Sequence, residues 1–130
     1  MHEGMRMTIS LSMETRGDHL RVTVRGDIRH IDEIVDYSAA YRIEATRLGL
    51  RRVLIDYTDA LFHLDYHDLH ELAEHGVRKD FHLRGLRIAA VCSTENAVQH
   101  RQYETIAANR SITYKVFNDE ASALDWLLKS

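Results

Sequence analysis

The chain has 130 residues, of which 45% are apolar and 28% are charged, and its formal net charge is −3. This length and composition are those of a globular protein, so we predict a single domain over residues 1–130 and exclude disordered, collagen-like and coiled-coil classes. Acidic and basic side chains are interspersed without a basic stripe, so we expect no nucleic-acid partner.

The apolar runs and the cysteine count indicate where in the cell the protein is expected and which cross-links it can form. The run over residues 88–92 is far shorter than the ~20 residues of a membrane helix, and the N-terminal residues lack an apolar signal-peptide run. We therefore expect a cytoplasmic protein without membrane insertion. Cys92 is the only cysteine, which excludes an internal disulfide and a zinc site built on several thiolates.

The first part of the chain predicts a β-hairpin. Apolar and polar residues alternate over residues 8–13 and again over residues 20–24, a pattern typical of half-buried strands. The polar connection between them contains Gly17 and Asp18, which favour a tight turn. We expect two antiparallel strands, with the first at an edge of the sheet.

The middle of the chain changes from the period of a strand to that of a helix. Residues 31–48 carry one stripe of apolar and small side chains, which predicts a helix that ends at Gly49. The stripe consists of Ile31, Ile34, Val35, Ser38, Tyr41, Ala45 and Leu48. Continuous apolar runs then predict central parallel strands at residues 52–57 and 86–92, with an amphipathic helix over residues 65–79 between them.

The last third continues the alternation of helix and strand. We predict a helix over residues 95–108 with Ser93 or Thr94 as its N-cap, a strand over residues 112–117, and a final helix capped by Asn118. The whole order predicts an α/β fold with a single, mostly parallel sheet of about five strands. Its antiparallel edge strand is N-terminal, its β-α crossovers are right-handed and its helices number about four.

This pattern resembles the STAS superfamily, and within it the SpoIIAA-like group, over roughly residues 8–128. The resemblance is carried by Val53-Leu54-Ile55-Asp56-Tyr57, similar to the family's strand that ends in Asp before a loop and a helix. Residues 117–121 and 123–127 look like its C-terminal helix. The resemblance implies a SpoIIAA-like fold and a non-catalytic regulatory or protein-interaction domain.

Anti-sigma-factor antagonists of this superfamily carry a phosphorylatable hydroxyl at the start of the helix after that strand. Asp65 fits the acidic residue of their motif, but Tyr66 and His67 occupy the hydroxyl positions and Asp68 replaces a glycine. The resemblance therefore implies a binding domain that lacks the serine switch. Because lipid-carrying domains share this fold, a carrier of a small apolar ligand is the alternative hypothesis.

The binding surface is predicted at the carboxyl ends of the parallel strands, where ligands and partners of such sheets usually lie. We expect it to comprise the loop over residues 58–63 and the first turns of the following helix. The candidate residues are Asp56, Asp59, Asp65, Tyr66, His67 and Ser93. We expect no cofactor, a protein partner or a small apolar ligand, and edge-strand and helix surfaces that permit a homo-oligomer.

A metal-dependent enzyme is a third hypothesis, since the chain contains nine histidines. On a helix that is extended back by one turn, four candidate ligands share one side: His63, His67, His70 and Glu74. Imidazole nitrogens with a carboxylate suit zinc or a similar metal. The His-Glu-x-x-His signature is absent, and a polar stripe is the favoured interpretation.

Other reactive groups have simpler interpretations. Cys92 precedes the start of a predicted helix, whose dipole would stabilise a thiolate. The loop after Cys92 has no glycine, however, and Val98 stands where phosphatase loops place an Arg. A buried structural cysteine is therefore the favoured interpretation. Asp56 is expected to brace its loop through backbone donors. The sequence contains neither a glycine-rich phosphate loop nor Gly-x-Ser-x-Gly.

Overall fold

The structure, a computed structural model, describes residues 9–76 and 83–129. The helices and strands are β1 (Ile9–Thr15), β2 (Leu20–Ile28), α1 (Ile31–Leu48), β3 (Arg52–Tyr57), β4 (Ala60–Phe62), α2 (Tyr66–Gly76), β5 (Arg87–Cys92), α3 (Ala97–Ala108), β6 (Thr113–Phe117) and α4 (Glu120–Leu128). Single turns of 3-10 helix lie at Leu83–Gly85 and Thr94–Asn96.

The strands form one sheet in the order β1-β2-β3-β5-β6. The hairpin of β1 and β2 is antiparallel, running from the pair Ile9 and Gly26 to the pair Thr15 and Leu20. The remaining neighbours are parallel. The predicted α/β class, with a mostly parallel sheet and an antiparallel N-terminal edge strand, is thereby confirmed.

The sheet has a sixth strand that the sequence pattern does not reveal. β4 pairs in parallel with the second half of β2, from Gly26 opposite Ala60 to Ile28 opposite Phe62, beyond the point where β3 has ended. The prediction of a loop throughout residues 58–63 is therefore wrong. Three residues are too short to display a period, and only the pairing with β2 defines this strand.

The helices cover the two faces of the sheet unequally. α1, α2 and α3 each connect two parallel strands, and each connection moves one step further across the sheet from β2 toward β6. Because such connections are right-handed, the three helices pack on the same face of the sheet. α4 packs on the other face against Leu54, Ala89 and Val91 through Ala123 and Leu127. Each helix follows the carboxyl end of a strand, so all four begin at the same edge of the sheet.

The helix boundaries agree with the predictions in most places. α1 has the predicted bounds, and Gly49 adopts φ 70° in the left-handed region that favours glycine. The α-helical part of α3 starts at Ala97, because residues 94–96 form a 3-10 turn. Residues 77–79 of the helix predicted over 65–79 lie outside the described residues.

Arginines from the sheet hold both ends of α4. At its start, Arg21 binds Glu120 through two hydrogen bonds of 2.8 and 3.3 Å. At its end, Arg52 donates to the Leu127 carbonyl at 3.0 Å, and Arg87 donates to the Trp126 carbonyl at 2.8 Å. These contacts satisfy carbonyl groups that the last turn of a helix leaves free.

The N-cap of α4 differs from the prediction. The Asp119 carboxylate accepts a hydrogen bond from the backbone N–H of Ser122 at 2.7 Å. Asp119, rather than Asn118, is therefore the capping residue. In the described residues, no helix is long and apolar enough to cross a membrane.

Candidate functional site

The connections at the carboxyl ends of the parallel strands form a surface that we call the carboxyl edge. It comprises residues 56–68, which lead from β3 to α2, and residues 93–98, which lead from β5 to α3. Five of the six predicted binding residues, Asp56, Asp59, Asp65, Tyr66 and Ser93, lie at strand ends or helix starts here, and His67 lies in the first turn of α2. Their role in binding stays a prediction.

The buried side chain of Asn96 joins the two halves of the carboxyl edge. Its oxygen accepts from the Phe62 N–H at 3.2 Å, and its nitrogen donates to the Ala60 carbonyl at 2.6 Å and to the Ser93 hydroxyl at 3.3 Å. Gln99 adds a bond of 3.1 Å from its side-chain nitrogen to the Phe62 carbonyl. β4 is therefore fixed to the start of α3 by side-chain amides.

Reciprocal hydrogen bonds between two aspartates form the start of α2. The Asp68 N–H donates to the Asp65 carboxylate at 2.8 Å, and the Asp65 N–H donates to the Asp68 carboxylate at 3.0 Å. The bond from Asp68 N–H lowers the pKa of Asp65 and holds this carboxylate in its charged form. Asp65 thus acts as an N-cap, which presents Tyr66 as the first helical residue.

Asp56 braces the turn after β3, as predicted. One of its carboxylate oxygens accepts from the Thr58 N–H at 3.0 Å and from the Thr58 hydroxyl at 2.6 Å, and the other accepts from Arg21 at 3.1 Å. Partial burial acts to raise the pKa of Asp56, but the bonds from Thr58 and Arg21 outweigh it and the pKa is lowered. Asp56 is therefore a weak base.

Other predicted residues of this surface make looser contacts. The Asp59 carboxylate lies 3.6 Å from the Arg25 guanidinium, and both side chains are exposed. His67 lies 3.7 Å from Glu71 one turn further along α2. Exposed ion pairs of this kind contribute little to stability, so these side chains can be used for contacts with another molecule.

Three apolar or aromatic side chains at the carboxyl edge are exposed, and only one of them was identified as a site residue from the sequence. Leu61 in β4 is 40% exposed, Tyr66 is 57% exposed, and Val98 in the first turn of α3 is 68% exposed. The alternation in β4 turns Leu61 outward while Ala60 and Phe62 are buried. Tyr66 was predicted as a site residue, but Leu61 and Val98 had no sequence signal because a single apolar residue in a loop or first turn is common.

His63, His70 and Glu74, three of the candidate metal ligands, each contact a different residue rather than one another. The His63 ring nitrogen is 3.3 Å from Asp27, the His70 ring packs edge-on against Tyr66 with centroids 4.6 Å apart, and Glu74 accepts from Arg110 at 2.7 Å. Over the described ranges, no group of three or more His, Cys, Asp or Glu side chains could hold a metal ion. The convergence that the metal hypothesis needs is not found there.

Cys92 is buried at the end of β5, which confirms the interpretation as a structural cysteine. Burial raises the pKa of its thiol, so the neutral form predominates at neutral pH. A neutral thiol away from solvent is a poor nucleophile.

Beneath the carboxyl edge, the core contains a cluster of rings. Tyr57 stacks on His100 with centroids 5.0 Å apart, and Phe62 packs edge-on against both rings. The Tyr37 and Tyr57 hydroxyls form a buried hydrogen bond of 2.6 Å, and a ring nitrogen of His100 lies 3.3 Å from the Tyr114 hydroxyl. His100 is only 5% exposed, and burial lowers its pKa to about 4, so the ring is neutral at physiological pH.

Comparisons with known proteins agree with this architecture. No protein-family model matches the chain, and no curated protein matches its sequence. The structure of an uncharacterized protein of the DUF3478 family, with a SpoIIAA-like fold, from Shewanella loihica PV-4 matches with a TM-score of 0.54 and 26% identity over 92% of this chain and 93% of that chain.

A second solved structure is an anti-sigma factor antagonist from Mycobacterium paratuberculosis. It matches with a TM-score of 0.58 and 14% identity over 93% of this chain and 95% of that chain. The chain therefore has a SpoIIAA-like α/β fold, which confirms the fold that the sequence resemblance implied.

Proposed function

We propose that the chain is a non-catalytic regulatory domain that binds a protein partner through its carboxyl edge. The observation that carries this proposal is the presence there of Leu61, Tyr66 and Val98, all substantially exposed. Exposed apolar side chains supply contact area when a partner docks, and tyrosine is frequent among the residues that dominate binding energy.

The backbone under these side chains is held in place. Asn96 and Gln99 fix β4 to the start of α3, and the pair of Asp65 and Asp68 fixes the start of α2. A surface that is ordered before binding loses less conformational entropy when a partner docks. The hydrogen bonds of the carboxyl edge thus support a preformed binding surface.

The structural relative supports a protein as the partner. The protein from Mycobacterium paratuberculosis is by name an antagonist of an anti-sigma factor, and its fold is the one described here. By the sequence resemblance, Tyr66 and His67 fall where the antagonists carry their phosphorylatable hydroxyl. We therefore propose a cytoplasmic binding domain whose partner exchange is independent of serine phosphorylation at these positions.

The chemistry of the carboxyl edge supports a role without catalysis. The Thr58 hydroxyl donates to Asp56, but the lowered pKa of Asp56 makes this carboxylate a poor base for activating it. The Ser93 hydroxyl is 3.3 Å from the Asn96 amide, which accepts no proton at neutral pH. Within the described part of the edge, these pairs offer no activated nucleophile.

The experiment that tests the proposal begins with crosslinking in the cell. A photoreactive amino acid replaces Tyr66 in one variant and Ile43, which is exposed on α1 away from the edge, in the control. We expect the Tyr66 variant to capture a protein that the Ile43 control does not. Capture of the same protein at both positions, or of none at Tyr66, contradicts the proposal.

The captured protein then serves in a binding measurement. Tyr66→Ala and Leu61→Ser are expected to weaken its affinity by about tenfold or more, because each removes buried apolar contact. Ile43→Ser should leave the affinity unchanged. The free energy of unfolding of each variant is measured beside its affinity, which separates binding effects from folding effects.

A further inference from the structure

The two outer edges of the sheet are protected to different degrees. At the edge formed by β6, the Glu104 carboxylate of α3 accepts a hydrogen bond of 2.9 Å from the backbone N–H of Val116, so a side chain blocks part of that strand. The other edge is β1, whose residues 12–15 are all exposed. An edge strand whose backbone groups are free is a template for pairing with another strand.

The direction of the backbone groups in β1 follows from two hydrogen bonds. The Arg16 N–H donates to the His19 carbonyl at 2.9 Å across the hairpin, and the Gly26 N–H donates at 3.1 Å to the Asp59 carbonyl, on the side of β2 away from β1. Backbone groups alternate in direction along an antiparallel pair, so the even-numbered residues of β1 bind β2 and the odd-numbered residues turn theirs outward. Within residues 9–76 and 83–129, no hydrogen bond reaches these outward groups, which belong to Ile9, Leu11, Met13 and Thr15.

β1 lacks the features that usually keep an edge strand from pairing. It contains neither proline nor lysine, and its one charged residue is Glu14. Its register with β2 runs from residue 9 to residue 15 without a bulge. The charge of Glu14 is offset by Arg16, which lies 3.0 Å away. Prolines, charges and bulges are the devices by which edge strands avoid such contacts, so β1 is open to them.

We propose that β1 pairs with β1 of a second copy of this chain, antiparallel and about a two-fold axis at Ser12. This register uses all seven residues of the strand. Ile9 then lies opposite Thr15 of the other copy and Leu11 lies opposite Met13, so the outward groups meet and about eight interchain hydrogen bonds form. A two-fold axis makes the contact self-complementary and closes the assembly at two chains.

The side chains on the core face of the sheet fit this register. Leu11 and Met13 are on that face because they lie opposite Val24 and Val22 of β2, which are fully buried. Met13 is 37% exposed in the single chain. In the dimer it packs on Leu11 of the second copy, so the apolar layers of the two chains become continuous and apolar surface leaves water.

The charges on the opposite face favour the same register. Glu14 lies opposite Ser10 of the second copy, and the neighbour of Ser10 in β2 is Arg25, whose side chain is exposed. The Glu14 carboxylate therefore faces a guanidinium of the other chain across one serine. An axis at Glu14 would instead place two carboxylates directly opposite each other, which is destabilising.

The dimer leaves the carboxyl edges free. Because the two copies of β1 run in opposite directions, the carboxyl edges of the two chains point away from each other. The proposed contact thus goes beyond the protein-binding function proposed above and does not depend on it.

The first test measures the mass of the full chain by sedimentation equilibrium between about 10 μM and 1 mM. One pair of strands makes a small interface, so we expect a reversible equilibrium between monomer and dimer. Met13→Lys places a charge in the apolar part of the contact and should weaken dimerisation by about tenfold or more. Leu128→Lys, at a position of α4 that is 38% exposed, is the matched control and should leave the equilibrium unchanged. A monomer mass at every concentration, or equal weakening by both substitutions, overturns the proposal.

The second test examines the register through disulfide formation and does not rely on the lysine variants. Ser12 lies opposite itself, with Cα atoms about 4.5 Å apart, a separation that a disulfide can span. Ser12→Cys should therefore form an interchain disulfide under mild oxidation. Ser10→Cys is the control: the two copies of residue 10 are more than about 13 Å apart along the strands, so its disulfide should form at least about tenfold more slowly. Cys92 is buried in both variants. Equal rates for the two variants overturn the proposal.

Discussion

The side-chain oxygen of Asn96 accepts a hydrogen bond from the Phe62 N–H across 34 positions of the sequence. The nitrogen of the same side chain donates to the Ala60 carbonyl. One buried amide, 3% exposed, therefore satisfies backbone groups at both ends of β4. This strand is only three residues long, so the amide is a large part of what holds it at the carboxyl edge.

We predict that Asn96→Ala destabilises the protein by about 2 to 4 kcal/mol. The substitution leaves the Phe62 N–H and the Ala60 carbonyl buried without this partner, and each such loss costs about 1 to 3 kcal/mol. Urea denaturation followed by circular dichroism measures the effect. Asn118→Ala, at an exposed position, is the control and should stay within about 0.5 kcal/mol of the parent. A similar value for both variants would contradict the role of Asn96.

A second prediction concerns acid and follows from the lowered pKa of His100. The unfolded chain binds a proton at this ring near the ordinary value of 6.5, whereas the folded chain does so only near pH 4. The contribution of the neutral His100 ring to the free energy of unfolding is therefore fully present above about pH 6.5. It is lost as the pH falls toward 4, and the total loss is about 3 kcal/mol.

The measurement is the free energy of unfolding of the parent and of His100→Phe between pH 7 and pH 4. Every other titratable group is the same in both proteins, so the difference between the two curves isolates His100. We expect the parent to lose stability more steeply with acid than the variant. Parallel curves would show that the ring titrates near its ordinary pKa in the folded state.

A double-mutant cycle tests the buried bond between the Tyr37 and Tyr57 hydroxyls. Either Tyr→Phe change alone leaves the other hydroxyl in the core without this partner, and we expect a cost of about 1 to 3 kcal/mol. The double variant removes both hydroxyls and should cost less than the sum of the two single changes by about 1 kcal/mol or more. Thermal unfolding measures all four proteins. Additive effects would mean that the two hydroxyls do not interact.

The arginine at the start of α4 provides a fourth prediction. Arg21→Met keeps the aliphatic stem but leaves Asp56 and Glu120 without their shared cation. We expect a loss of about 1 to 2 kcal/mol, since the group is only partly buried and solvent screens part of the interaction. Arg16→Met removes the exposed pair with Glu14 and is the matched control. It should leave stability close to that of the parent, and a loss as large as that of Arg21→Met would refute the distinction.

Much of the fold could be predicted because its longer helices and strands contain enough residues to display a clear apolar periodicity. The 18 residues of α1 display five turns of one stripe before Gly49, and the hairpin and central strands follow the period of two or an unbroken apolar run. β4 could not be found in this way. The alternation predicts the second strand only over residues 20–24, yet β2 continues to Ile28, and its Gly26, with φ 112°, pairs with Ala60.

The candidate site could be predicted only where its residues act locally. Asp65 and Asp56 bind backbone donors two or three positions away, so sequence neighbours identify their roles. Asn96 and His100 act across the fold, on β4 and on the rings of the core. Asn and His are common residue types near the start of a helix, so the sequence gives no sign of these roles. Their contacts arise only when distant segments of the chain pack together.

The common starting edge of the four helices has a consequence for the kinetics of association. Their dipoles place partial positive charge, about half a unit per helix, on the same side of the molecule. Acidic residues stand in the first turns of α1, α2 and α4: Asp32, Glu33, Asp68 and Glu120. These four carboxylates outweigh the four partial charges, so a positively charged partner should associate faster than a negatively charged one, and the difference should shrink as the ionic strength rises.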